Sequence, residues 1–140
     1  MRIIVDAFGG DNAPREILLG CAQAVEALGV DITLAGDEKK LAACAKELDV
    51  ENSFSKMEVL DCQDVLSMED EPSSILKERS GCSMAVGMKA LAEGRGDAFA
   101  SAGNSGALAF GATMIVKRIK GVKRIAFAPV LPTAGTPFMI

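Results

Sequence analysis

The 140-residue chain predicts an α/β fold, a mostly parallel sheet flanked by helices. Short β-branched or apolar runs alternate along it with stretches of helical period. Hydrophobic residues make up 49% but aromatics only 4%, with no Trp and no Tyr. The core must therefore be built from Ile, Val, Leu, Ala and Met, which suits helices laid on a parallel sheet better than an antiparallel sandwich. Glycine, Asp and Pro mark the junctions between the runs.

Taken in order, Ile3 to Val5 form a first strand ending at Asp6. Pro14 suits the first turn of a helix, where its missing N–H costs nothing. Ile17, Leu18, Cys21, Val25 and Leu28 then recur at helical spacing, and Gly29 stops the run. Residues 31–35 read as the second strand, and Asp37 as the cap of a helix whose inner face is Leu41, Cys44, Ala45 and Leu48. Residues 57–60 read as the third strand. An acidic stretch follows, and Pro72 opens a short helix through Arg79. Ser83 caps a further helix carrying Val86, Ala90 and Leu91 and ending near Gly94. Residues 98–100 form another strand, and a nearly all-apolar helix runs buried from about Gly106 to Ile119. Residues 125–131 form a strand broken by Pro132, and the last apolar run, 138–140, begins one more.

Composition excludes several classes of chemistry. There is no His, which removes Ser-His-Asp and Cys-His nucleophile pairs and His-based metal sites. Cys21, Cys44, Cys62 and Cys82 form no C-x-x-C pair, so neither a zinc nor a thioredoxin-like reading holds, and a reduced, cytoplasmic compartment is expected. The net charge of −4 is opposite in sign to that of most nucleic-acid binders. The N-terminus is not a signal peptide, since Asp6 interrupts its apolar run. The uncharged stretch 98–116 is long enough for a membrane span, but its Ser, Gly and Asn residues fit a strand, a glycine loop and a helix better. No acidic cluster has metal-ligand spacing.

Two loops carry the chemistry, and each follows a strand. In the first, Gly9 and Gly10 free the backbone and let a ligand approach the main chain, beside Asp11, Asn12 and the start of a helix. On spacing alone a plain turn with Asp11 or Asn12 as cap is the better reading, since one Gly-Gly turn is weak evidence. The second runs Ser101-Ala102-Gly103-Asn104-Ser105-Gly106-Ala107: small residues, two hydroxyls and an amide between apolar elements. That character suits an anion held by backbone donors, although a tightly packed helix start would use the same residues. It is neither a Walker loop nor a dinucleotide fingerprint. Lys117, Arg118, Lys120, Lys123 and Arg124 cluster past the apolar helix. They complement a helix C-terminus, or form a docking patch for an acidic partner or anionic lipid. Lys77 and Arg79 read equally as cations for a phosphate or as surface residues of a short helix.

Together these segments resemble the acyl-acyl-carrier-protein:phosphate acyltransferase family. The resemblance rests on DAFGGDNAP at 6–14, SAGNSGA at 101–107, the acidic Glu69-Asp70-Glu71-Pro72, then Lys77, Arg79 and Ser83-Met84, and Leu131-Pro132-Thr133. Phe8 stands where the family carries Met, and Ser105 where it carries Thr. Family members are much longer, so residues 1–140 are expected to be the N-terminal part of a larger α/β acyltransferase domain whose C-terminal half is absent. The resemblance implies a fold like the isocitrate and isopropylmalate dehydrogenases. It implies transfer of a fatty acyl group from acyl carrier protein to inorganic phosphate, giving acyl phosphate for phospholipid synthesis. It further implies a cytoplasmic, peripherally membrane-associated homodimer that needs no metal or organic cofactor. On that mechanism Asn104 and Asn12 are the candidate catalytic donors. Gly9, Gly10, Asp11, Ser101, Gly103, Ser105 and Gly106 hold phosphate, Asp6 orders the loops, and the five cations dock the carrier protein. A nicotinamide-dependent dehydrogenase of related fold and a non-catalytic α/β module that binds an acidic protein are the alternatives.

Overall fold

The computed structural model describes residues 1–131 and 138–139, with side chains through residue 130. Pro132, Thr133 and Ile140, parts of two expected strands and of one matching motif, lie outside the described residues.

The strands β1 (Arg2–Asp6), β2 (Asp31–Gly36), β3 (Glu58–Asp61) and β4 (Ala98–Ala100) form one all-parallel sheet in the order β3-β2-β1-β4. Three helices join the first three strands: α1 (Arg15–Leu28), α2 (Glu38–Glu47) and the short α3 (Glu51–Phe54). Leu18, Cys21 and Ala22 of α1 and Leu41, Cys44 and Ala45 of α2 bury against Ile32 and Leu34. The alternate residues Ile4 and Ala35 point to the other face and meet Ala90 of α4 (Ser83–Ala92). A sheet covered on both faces needs apolar residues at successive positions, and β2 meets this with ITLAG buried throughout.

The helix ends follow local chemistry. Gly29 closes α1 in the left-handed region at φ 61°, with its N–H on Val25 O. Asp37 caps α2, its carboxylate accepting from the Lys40 amide at 3.0 Å. Leu28, placed by period on the inner face of α1, is instead 72% exposed at the last residue of the helix.

Four expectations need correction. The helix of 72–79 shrinks to a 3₁₀ turn, Pro72–Leu76, anchored by fully buried Ile75. Ser83 is the first residue of α4 and not its cap; the Cys82 thiol accepts from the Ala85 amide in that role. The apolar helix α5 (Ser105–Gly111) passes into a π turn, Ala112–Val116, and stops at Lys117 with φ 75°. It is packed on one side only: Ala107 and Gly111 are buried, while Met114 is 52% exposed. The strand expected over 125–131 contracts to β5 (Val130–Leu131), antiparallel to β6 (Phe138–Met139). Residues 125–129 pair with no strand edge among the described residues, and strand propensity alone does not order a ladder. No helix among the described residues is long and apolar enough to cross a membrane.

Candidate active site

Strands β1 and β4 are hydrogen-bonded neighbours in register, Ile3 with Ala98 through Val5 with Ala100. Both run the same way, so the loops 7–14 and 101–104 leave the same carboxyl rim of the sheet, where ligands of open α/β folds bind. The two-residue period that turns Ile4 toward α4 turns Asp6 there as well. Asp6 is 2% exposed, and its carboxylate is fully engaged. Oδ1 accepts from the Ser83 hydroxyl at 2.6 Å and the Phe8 amide at 3.3 Å. Oδ2 accepts from the Ser101 hydroxyl at 2.7 Å, whose oxygen in turn accepts from the Gly103 amide at 3.1 Å. A buried carboxylate is tolerable when hydrogen-bond donors surround it, and here they come from three separate segments.

The glycines make this approach possible. A Cβ on Gly9 would strike the Asp6 carboxylate and the Ser101 hydroxyl. Gly10 has φ 118° and faces Ala102, and a Cβ on Gly103 would sit 3.2 Å from Gly9 Cα. The two loops are therefore in van der Waals contact, a direct consequence of residues without side chains at facing positions.

The residues named from sequence divide into two sets. Asn104 is 8% exposed and caps α5, its Oδ1 accepting from the Ala107 amide at 3.0 Å. Its Nδ2 points to the carbonyls of Ser67, Met68 and Asp70, each at 3.3 Å. Both ends of the amide are spent inside the protein, so Asn104 offers a ligand no side-chain donor. The Ser101 proton is spent on Asp6 in the same way. Gly106 packs on Pro72, whose Cγ would lie 3.0 Å from an added Cβ. Asp11, Asn12 and Ser105 are exposed. The amides of Gly10, Asp11, Asn12, Ala102, Asn104, Ser105 and Gly106 have no acceptor among the described residues.

A cleft of about 340 Å³ opens beside the junction, between Gly10–Ala13, Glu16, Ile17, Met68 and Ala102. Ser101, Gly103, Ser105 and Gly106 lie outside it. No lysine or arginine lines it. Arg79, a candidate cation, is bound instead to Asp64 at 2.8 Å and Asp70 at 3.4 Å, and these neighbours, Asp64 foremost, push its pKa up. Asp70 is held below the usual carboxylate range, first by the Ser67 amide and then by Arg79. Lys77 is exposed. Burial pushes the Cys21 thiol up to about 11 and, with the charge of Asp6 adding to it, the Cys62 thiol up to about 12. Burial raises Cys44 and Cys82 too, so none of the four thiols is poised as a nucleophile.

The sequence of the whole chain, residues 1–140, matches the model of a family described as fatty acid synthesis protein. The chain belongs to this family. Among its curated relatives, a phosphate acyltransferase of Acetivibrio thermocellus is 45% identical over the whole chain and 41% of its own length. A phosphate acyltransferase of Bacillus licheniformis is 41% identical with the same coverage, and one of Clostridium botulinum is 39% identical, with 42% of its length covered. The chain thus spans about two fifths of the length of the relatives it matches.

Within this fatty acid synthesis family segment, sequence reasoning missed Ser83 as a partner of the rim loops. The one available signal was a hydroxyl beside a poorer helix cap, Cys82, but its target lies 77 residues away. Lys117, Arg118, Lys120, Lys123 and Arg124 are all exposed and none lines the cleft; Lys117, Arg118 and Arg124 border a second, apolar hollow with Val116, Ile119, Val122 and Ile125. The Arg118 guanidinium donates to the Lys123 carbonyl.

Proposed function

We propose that the protein transfers a fatty acyl group from acyl carrier protein to inorganic phosphate, releasing acyl phosphate and free carrier protein. The observation that carries this reading is the contact of two glycine loops at one sheet rim, with unpaired amides, in a chain of the fatty acid synthesis family. A phosphate oxygen attacks the thioester carbonyl carbon, the C–S bond breaks, and the thiolate leaves with the carrier. Phosphate is itself a competent nucleophile, so no acyl-enzyme intermediate is needed. The protein must hold two anionic partners together and stabilise the developing oxyanion.

Asp11 and Glu16 line the cleft and repel an anion, so phosphate belongs on the 102–106 side. There the amides of Ala102, Asn104, Ser105 and Gly106 have no acceptor among the described residues, and Ala102, Ser105 and Gly106 are exposed. The thioester lies toward the cleft, where the Asn12 side chain is exposed and able to reach the oxyanion. Asn104, Ser101 and Asp6 position these loops from inside. The basic residues 117–124 receive the acidic carrier. In this reading the protein is a cytoplasmic homodimer that touches the membrane peripherally.

The test is an assay on the full-length protein with an acyl thioester of acyl carrier protein. Carrier thiol release should depend on phosphate, and hydroxylamine, added only after the acylated carrier has been removed, should trap one acyl hydroxamate per thiol freed. Thiol release without phosphate, or none at all, would refute the reading.

A further inference from the structure

We propose that Ser83, the first residue of α4, is a positioning residue that locks both rim loops through the Asp6 carboxylate. Serine is among the best helix caps and cysteine is not, yet here Cys82 caps α4 through a weak sulfur acceptor at 3.4 Å. The hydroxyl one residue later, itself 2% exposed, is spent on Asp6 Oδ1 at 2.6 Å. The helix gains no capping bond from it; the gain is at the rim.

Asp6 has no cationic partner in its hydrogen bonds and depends on three donors: Ser83, Ser101 and the Phe8 amide. Ser83 supplies the shortest of the three. Without it, a buried carboxylate is left short of a donor and must turn toward water or draw another group in. There is no slack for that turn. Gly9 lies against Asp6 and Ser101 with no room even for a methyl group, and Gly103 lies against Gly9. Any turn of the carboxylate displaces the Phe8 amide in one loop and Ser101, with the Gly103 amide behind it, in the other. Helix α4 therefore sets the spacing of the two loops, although it contributes no atom to the cleft lining.

The effect on turnover rests on the proposed acyl transfer; the mechanical effect does not, and the two are read separately. In the full-length protein, Ser83→Ala should speed hydrogen exchange at the Phe8 and Gly103 amides together, while the amides of α2 keep wild-type rates. Ser83→Thr, which keeps the hydroxyl, should restore both. In the acyl-transfer assay Ser83→Ala should raise KM for phosphate about tenfold, with a much smaller change in KM for the acylated carrier. If Ser83→Ala does not fold, Ser101→Ala removes the opposite arm of the same carboxylate and should free the Phe8 amide, which Ser101 does not touch. Unchanged exchange at Gly103 in Ser83→Ala, or at Phe8 in Ser101→Ala, overturns the proposal. So does an equal rise in both KM values. A wild-type protein without transfer activity overturns the function reading alone and leaves the exchange test decisive for Ser83.

Discussion

At the scale of single residues, the rim contains polar side chains that look like ligands for a substrate and serve the protein instead. Asn104 is the clearest. Its oxygen caps α5 and its nitrogen gathers three carbonyls of the segment 67–70, so one amide joins an irregular stretch to a helix. Asn104→Ala in the full-length protein should lower turnover at least tenfold, because the loop and the helix start both lose their brace. The route of the loss is testable with Asn104→Asp. Aspartate keeps the cap but sets an oxygen where the nitrogen stood, facing three carbonyl oxygens with nothing to donate. It should cost about 1–3 kcal/mol of stability at neutral pH in urea unfolding. A fully stable Asn104→Asp with lost turnover would instead return Asn104 to direct contact with substrate.

At the scale of elements, helices and parallel strands were legible because local chemistry decided them. The Gly29 stop and the Asp37 cap fall where period and turn residues place them. Asp37 also makes the cap testable by pH. The Lys40 amide, and then the Lys40 charge, hold its folded pKa below the ordinary 3.8. A lowered folded pKa means that its contribution is complete above the unfolded value and is lost as pH falls through the folded one. Asp37→Asn keeps a capping oxygen but cannot titrate. Its melting temperature at neutral pH should stay close to wild type, and the fall in melting temperature below about pH 4 should be shallower. An identical acid limb in both proteins would show that the cap charge does not contribute. Elements that depended on a distant partner were not legible. The apolar character of 105–116 was plain, but not that it packs against α4 and the Pro72–Leu76 turn on one side only, and the run 125–129 pairs with no strand edge among the described residues. The same division holds at the rim. Gly9, Gly10 and Gly103 announced a close approach, whereas the inward use of Asn104 and Ser101 and the reach of Ser83 required the fold.

At the scale of the molecule, charge is distributed unevenly. The chain carries −4 overall, but five cations and no acid fall within residues 117–124, which leaves −9 on the rest. Apolar side chains are interleaved with them: Ile119 is 80% exposed, Val122 46% and Ile125 45%. Compensation of the α5 helix end needs only the cation nearest it, since the dipole effect fades within one turn. The remaining cations, Arg118, Lys120, Lys123 and Arg124, are left for a partner, and an acidic carrier is the partner that the proposed reaction requires. Attraction between exposed charges is screened over about 10 Å at 0.1 M salt and about 3 Å at 1 M. Lys120→Glu with Lys123→Glu should therefore raise KM for the acylated carrier about tenfold at low salt, with KM for phosphate unchanged. Near 1 M salt, where wild type itself binds the carrier weakly, the difference should nearly vanish. A defect equally large at both salt concentrations would point to lost apolar packing. No defect at either would leave these residues with helix-end compensation and solubility as their only work.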